Sequence, residues 1–301
     1  MKAVRINKWA TPVQIEEIPQ PAPGAGEVLI GVHAASVNPV DRAIVAGYMA
    51  AFVTAPLTLG TDFAGEVVAV GEGVTHVSPG DSVYGMSLMR GTFAEYAVVN
   101  AAGVALKPRT LDNVEASAIP LTGLSAWQTL FQIAQLKQGE RVLIHGAGGG
   151  IGSIAVQLAK NAGAYVIAHD KGEKMDVLRS LGADEFINAD TERFEDKANN
   201  PDVVLDLVMG GLVDRSFAVL LPGGRYVATA VQQVDSEAAA LRGIKASGTF
   251  TQPNIEQLTA LTQDFNAGKL KVIVSQTFPL TEAQTALFAN PPGGGKVVIT
   301  V

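Results

Sequence analysis

The sequence predicts an α/β protein, in which a doubly wound parallel sheet is joined to a β-rich stretch. Two observations carry this. From about Asn113 onward short apolar runs alternate with helical patterns, the signature of a parallel sheet with crossover helices. Within that stretch Arg141–Ala162 (RVLIHGAGGGIGSIAVQLAKNA) passes from an apolar run through a glycine-packed turn straight into an amphipathic segment.

Val142, Leu143 and Ile144 read as a buried strand, and Ile151, Ile154, Ala155, Leu158, Ala159 and Ala162 fall on one helical face. Glycines between strand and helix let the backbone approach a pyrophosphate. The free N–H groups at the helix start carry partial positive charge toward it. Gly149 and Gly152 hold the second and third places of G-x-G-x-x-G, and Ala147 stands in the first. The candidate phosphate contacts are therefore Ala147, Gly148, Gly149, Gly150, Ile151 and Gly152. A flexible linker would lack the flanking apolar patterns.

The remaining elements follow in order. Val28–Val32 and Glu66–Val70 read as strands, set off by the turn clusters Pro19–Gly26 and Ser78–Asp81. Beyond the glycine turn come a strand at Tyr165–Ala168, a helix at Lys174–Leu181 stopped by Gly182, and a strand at Asp202–Val208. A helix near Leu212–Leu221 and strands at Arg225–Thr229 and Lys245–Phe250 complete the series. Lys271–Val301 returns to strand and turn and is expected to fold back onto the N-terminal part. The expected division is 1–115 with 266–301 as one discontinuous unit, and 116–265 as the nucleotide-binding unit. Ala43–Thr61 carries no charge, but Gly47, Pro56 and Gly60 would break a membrane-spanning helix. It reads as a loop lining an apolar pocket.

Composition narrows the function. Hydrophobic residues make up 48% and charged residues 17% of 301, which suits a sizeable core and not disorder. A net charge of −7 without a basic stripe excludes bulk nucleic-acid binding. No cysteine is present, so disulfides and thiolate zinc sites are excluded. His33, His76, His145 and His169 are scattered without ligand spacing and read as structural, so no metal is expected. MKAVRINKWA lacks the apolar core of a signal peptide, and the expected setting is soluble and cytoplasmic. Asp170, 21 residues past Gly149, stands about where an acid binds the ribose 2′-hydroxyl of NAD and would repel a 2′-phosphate. Capping the next helix is its other use. Lys171 and Lys174 follow at once.

Seven motifs then coincide: Gly60–Val74, Pro79–Val83, Gly91–Tyr96, Ile119–Trp127, Ala147–Gly152, Leu181–Asn188 and Gly295–Ile299. In that order they resemble the medium-chain dehydrogenase/reductase superfamily, and within it the zinc-independent quinone oxidoreductases, the zeta-crystallin group. The resemblance implies a GroES-like β-rich catalytic domain, a Rossmann NAD(P)-binding domain and a substrate cleft between them. Where zinc alcohol dehydrogenases carry a metal-binding cysteine this chain has Asn38, and where they carry His followed by Glu it has Thr61 and Asp62. The implied reaction is hydride transfer from NAD(P)H to a quinone or an α,β-unsaturated carbonyl, whose delocalisation spreads the developing charge without a metal.

The resemblance also implies a site. Asn38, in VNPVD, would line the cleft beside the nicotinamide, although an Asn before Pro39 forms a turn as readily. Tyr48, in AGYM, resembles the aromatic that closes over the nicotinamide, as proton donor or as pocket wall. Thr122, in PLTGL, resembles a residue that hydrogen-bonds the nicotinamide end, or is a helix cap. Thr229, Ala230, Phe250 and Lys296 complete the cofactor-side candidates, and Asp62 reads as a structural acid bridging the turn at Gly60 and Gly65. Lys174 matches a position that contacts the 2′-phosphate, so NADPH (NADP) is favoured, with NAD the alternative because of Asp170. The expected assembly is a homodimer paired near Lys245–Phe250, and the expected substrate is small and hydrophobic, shaped by Ala43–Thr61 and Met86–Gly91. The alternatives are an enone or enoyl double-bond reductase without quinone activity, and a non-catalytic, crystallin-like nucleotide binder.

Overall fold

The computed structural model describes residues 1–88, 91–208, 211–229, 236–291 and 293–301. Six strands form an all-parallel sheet in the order Glu185–Asn188, Tyr165–Asp170, Arg141–His145, Val203–Asp206, Arg225–Thr229 and Lys245–Thr249. The chain winds outward from Arg141–His145 in one direction and from Val203–Asp206 in the other. Doubly wound sheets open their ligand crevice at that switch point, beyond the carboxyl ends of the strands. The glycine turn leaves Arg141–His145 there.

The helix after the turn, Gly150–Asn161, buries Ile154, Ala155, Leu158 and Ala159, as its periodicity predicts. It also buries Val156 and Gln157. The one-sided amphipathic helix expected from the pattern is thus covered on two sides. Gln157 Nε2 donates to Lys271 O at 2.8 Å and its Oε1 accepts from Lys271 N at 2.7 Å, tying on a returning strand of chain.

A seven-stranded sheet runs Val274–Pro279, Lys296–Thr300, Glu27–Ser36, Asp62–Val70, Ser82–Met86 and Val104–Leu106, with Tyr96–Asn100 also paired to Glu27–Ser36. A three-stranded sheet of Gln14–Glu17, Lys2–Ile6 and Leu57–Thr58 lies beside it. The C-terminal segment does fold back, since Lys296–Thr300 pairs antiparallel with Glu27–Ser36. It also forms a helix, Ala283–Phe288, with Ala283, Ala286 and Leu287 buried. Six residues are too few for a 3.6-residue period to stand out in sequence.

In the seven-stranded sheet two expected strands are longer than their apolar runs suggest. Val28–Val32 extends to Glu27–Ser36 and Glu66–Val70 to Asp62–Val70, while Asp202–Val208 shrinks to Val203–Asp206. Apart from Phe63 the extensions run through small and polar residues, which hydropathy alone does not mark. Gly65 is required at this crossing, because a Cβ there would run into the Gly31 carbonyl. The helices Pro120–Trp127 and Ile255–Asn266 join the two sheets: Tyr84 Oη donates to Leu258 O at 2.7 Å, and Tyr84, Met86, Leu124, Leu258 and Leu261 share one core.

Candidate active site

The glycine turn has the properties a pyrophosphate needs. The first helical bond runs from Ser153 N to Gly149 O at 2.9 Å. The N–H groups of Gly150, Ile151 and Gly152 precede it, and the N-cap, Gly149, has no side chain to bond them. A helix start with open donors and no Cβ in the way is an anion site. Gly152 has another role. A Cβ there would stand 2.6 Å from Ala147 Cα and nearer still to Gly146 O, so this glycine lets helix and strand approach. Ala147 fits the first place because its methyl group is buried in the core. These residues fit a dinucleotide.

At the end of Tyr165–Asp170, the Asp170 carboxylate faces this turn. Its Oδ2 accepts from Gly148 N at 2.7 Å, its Oδ1 accepts from Lys171 N at 2.8 Å, and Lys174 Nζ lies 3.4 Å from Oδ1. The stem of Lys174 covers Gly148, in the space a Cβ would fill. Helix capping, the alternative use of Asp170, is not what occurs: the cap of the following turn is Lys171, which is exposed. The histidines are not all scattered either. Strand register sets His145 beside His169, with 2.7 Å between their Nδ1 atoms, and Ser216 Oγ lies 3.1 Å from His145 Nε2. Burial, with His169 adding to it, pushes His145 down to about 3, so the pair is a neutral, hydrogen-bonded part of the core.

Three adjacent strand ends build the second half of the site. Val298 pairs with Ser36 and Ile299 with Ala35, so continuing the register puts Lys296 beside Asn38. Asp62 begins the neighbouring strand on the other side. Lys296 Nζ donates to Val37 O at 2.9 Å and to Asn38 Oδ1, and stands 3.9 Å from Asp62 Oδ2. Asp62 accepts from Ser36 Oγ, Asn38 Nδ2 and Leu121 N, each at 2.8 Å. The last of these anchors the start of the Pro120–Trp127 helix. Asp62 is therefore the hub of a buried polar cluster, where the sequence suggested a bridge between Gly60 and Gly65.

Asn38 is the N-cap of the Pro39–Val45 helix, and Asp41 reaches back to accept from its N–H at 2.8 Å. Thr61 Oγ1 donates to the other Asp41 oxygen at 3.3 Å. Burial dominates the electrostatics. It raises Asp41 to about 7, with Asp62 adding and the Asn38 N–H opposing. It raises Asp62 against the opposing pull of Lys296, and lowers Lys296 against the pull of Asp62 and Asp41.

This cluster and the glycine turn are one site. A Cβ on Gly150 would lie 2.9 Å from Lys296 Cδ and 3.1 Å from Thr122 Cγ2. Asn38, Thr122, Lys296 and the glycine turn are thus brought together. The Thr122 hydroxyl donates back to Ala118 O at 2.8 Å, just before its helix begins, and the N-cap is Ile119. Tyr48 is 83% exposed on the loop after Pro39–Val45. Phe250 is 41% exposed and stacks on Phe52, ring centroids 6.4 Å apart. Thr229 ends its strand at the carboxyl edge of the parallel sheet, and Ala230 lies outside the described residues. Sequence reasoning missed Asp41 as a member of the site and Phe52 as the partner of Phe250. The acid in VNPVD, three residues after the cap, was the available signal for Asp41.

The pig (Sus scrofa) quinone oxidoreductase is 31% identical over 304 residues, covering 95% of this chain and 92% of that protein. The chain belongs to the medium-chain dehydrogenase/reductase superfamily, in its quinone oxidoreductase-like branch. The alcohol dehydrogenase GroES-like domain model matches residues 24–109, and the zinc-binding dehydrogenase model matches residues 181–299. The Streptomyces orinoci spectinabilin polyketide synthase protein NorB is 32% identical over 292 residues, 92% of this chain; the chain spans 13% of that much longer protein. The solved structure of CurK enoyl reductase superposes with a TM-score of 0.90 at 30% identity, covering 99% of this chain and 98% of that one. The chain is an oxidoreductase of this superfamily, and its glycine turn fits a dinucleotide such as NAD(P). Among the described residues no group of three or more His, Asp or Glu is arranged to hold a metal ion, and no helix is long and apolar enough to cross a membrane.

Proposed function

We propose that the protein reduces a quinone or a conjugated enone with NAD(P)H and uses no metal. The observation that carries this is the convergence at Gly150, where the open helix start meets Thr122 and Lys296 and, through Lys296, Asn38. Bound there, the reduced nicotinamide supplies the hydride. The N–H groups of Gly150, Ile151 and Gly152 hold the pyrophosphate, and Thr122 and Asn38 flank the nicotinamide end. Where alcohol dehydrogenases carry a metal-binding cysteine, and a zinc-binding His followed by Glu, this chain has Asn38, Thr61 and Asp62. Their side chains are committed to Lys296, Asp41, Ser36 and Leu121 and to one another. A quinone or enone suits such a site, because its own conjugation spreads the charge that a metal would otherwise stabilise.

Enone reduction is the second reading, favoured by the likeness to an enoyl reductase over nearly the whole chain. NADPH is the proposed reductant, since Lys174 meets the charge of Asp170 and Lys171 is left exposed for a 2′-phosphate. A homodimer is proposed through Lys245–Thr249, which ends the parallel sheet and, among the described residues, is paired on one side only. The test is initial rates with an ortho-quinone and with a conjugated enone, each with NADPH and NADH, before and after exhaustive chelation. Chelator-insensitive turnover of either acceptor supports the reading. Activity that disappears on chelation and returns with zinc overturns the metal-free part, and binding of NAD(P)H without turnover of either acceptor overturns the whole.

A further inference from the structure

We propose that Lys296 is the proton donor of this reaction. Its ammonium binds the acceptor oxygen and gives it the proton that must accompany hydride transfer. The inference rests on the reductase reading above and goes beyond it, because that reading names no acid.

Three observations carry it. The Lys296 stem passes Gly150 and Thr122 at the helix start, but its head lies at the strand-end cluster with Val37 O and Asn38 Oδ1. The side chain therefore spans from the phosphate turn to the residue expected beside the nicotinamide. An ammonium has three N–H bonds. Two go to Val37 O and Asn38 Oδ1; Asp62, at 3.9 Å, is an ion-pair partner beyond hydrogen-bond distance. The third has no hydrogen-bond partner among the described residues. Finally, the head is a buried cation held at the strand ends, where Asn38 Oδ1 accepts from it and the Asp62 carboxylate faces it at 3.9 Å.

The chemistry balances. Hydride adds to the electrophilic carbon, or to the quinone ring system, and the displaced π electron pair moves to oxygen. That oxygen takes H⁺ from the ammonium, the nicotinamide is oxidised, the acceptor is reduced, and Lys296 becomes a neutral amine. Water entering the emptied cleft restores the proton. Burial favours this release, since it works against the charged form, while Asp62 and Asp41 oppose it and favour the ammonium. The charged groups facing Lys296 are Asp62 at the start of the Asp62–Val70 strand, and Asp41 and Arg42 on the Pro39–Val45 helix.

The test compares wild type with Lys296→Met and Lys296→Arg, and its first readout is not turnover. With oxidised cofactor bound, a nitrophenolate mimics the product oxyanion and reports binding by its absorbance. Loss of one charge-assisted hydrogen bond should weaken it by roughly 10- to 100-fold in K296M, with K296R keeping much of the affinity. Turnover of the wild type should fall as pH rises through the lysine's pKa. K296M and K296R should both lose at least about 100-fold in kcat and lack that limb, since neither releases a proton there. Should K296M not fold, the Lys296 ammonium resonance of ¹⁵N-lysine wild type is followed on adding the nitrophenolate. It should shift, and an unmoved resonance overturns the proposal. So does a K296M defect confined to NADPH affinity, with phenolate binding and the pH limb intact, which makes Lys296 a pyrophosphate ligand. Wild type inactive on both acceptors is a different failure, that of the reductase reading.

Discussion

Lys296 and Asp62 face each other across the end of the Glu27–Ser36 strand, 3.9 Å from Nζ to Oδ2, with both side chains buried. Neither has water to fall back on, so each is the condition for the other's charge. Removing one partner of a buried pair leaves the other uncompensated, at a cost of about 3–5 kcal/mol. Asp62→Ala should be destabilised by that amount in urea unfolding, and Asp62→Asn by less, because its amide oxygen still accepts from Leu121 N. A loss typical of an exposed ion pair, below about 1 kcal/mol, would show that the pair is solvated.

Asp41 gives stability a pH dependence whose sign is fixed. Burial raises its pKa from 3.8 to about 7 in the folded chain, which therefore binds more protons than the unfolded chain between those values. The Asp41 contribution is complete below about pH 4 and is lost as pH rises toward 7. Asp41→Asn should show a shallower decline of melting temperature over that window. Identical slopes for variant and wild type would place the Asp41 carboxyl at its ordinary pKa.

The glycines of the turn should separate into two kinds. At Gly152 an added Cβ meets backbone at 2.6 Å, whereas at Gly149 the nearest atom is Gly146 O at 3.3 Å. Gly152→Ala should lower stability by more than about 2 kcal/mol and abolish NADPH binding by fluorescence titration. Gly149→Ala should fold normally and bind more weakly. Equal effects would mean that close packing does not govern the third place.

Asp170→Ser should raise the preference for NADPH over NADH by about tenfold or more, because it frees Lys174 from its ion pair and removes a carboxylate from the ribose. The ratio of the two dissociation constants is the measurement. An unchanged ratio would show that the carboxylate is fully spent on Gly148 N and Lys171 N.

Most of the parallel sheet was legible because its central strands are apolar runs, as in Val142–Ile144, and because glycines punctuate the turn where the helix begins; the edge strand Glu185–Asn188 (EFIN) has no such run and was not read as a strand. The second half of the site was not. Asn38 and Asp41 are neighbours in sequence, but Asp62 and Lys296 are far from them, and they meet only through the antiparallel register of Val298 with Ser36 and the extension of two strands past their apolar runs. Asn38 and Lys296 were reached through the family motifs. Asp62 was noticed and assigned to a local turn, because nothing local distinguishes an acid that holds a turn from one that holds a distant ammonium. His145 and His169, 24 residues apart, meet for the same reason of strand register.

A single-turnover experiment tests the central claim most directly. Protein freed of metal by exhaustive chelation is loaded with NADPH, mixed with an ortho-quinone, and followed by the near-ultraviolet absorbance of the reduced nicotinamide. The account predicts loss of one reduced nicotinamide per hydroquinone formed, at a rate that added zinc does not change. Bound NADPH that stays reduced with the quinone, and with a conjugated enone in its place, would contradict it.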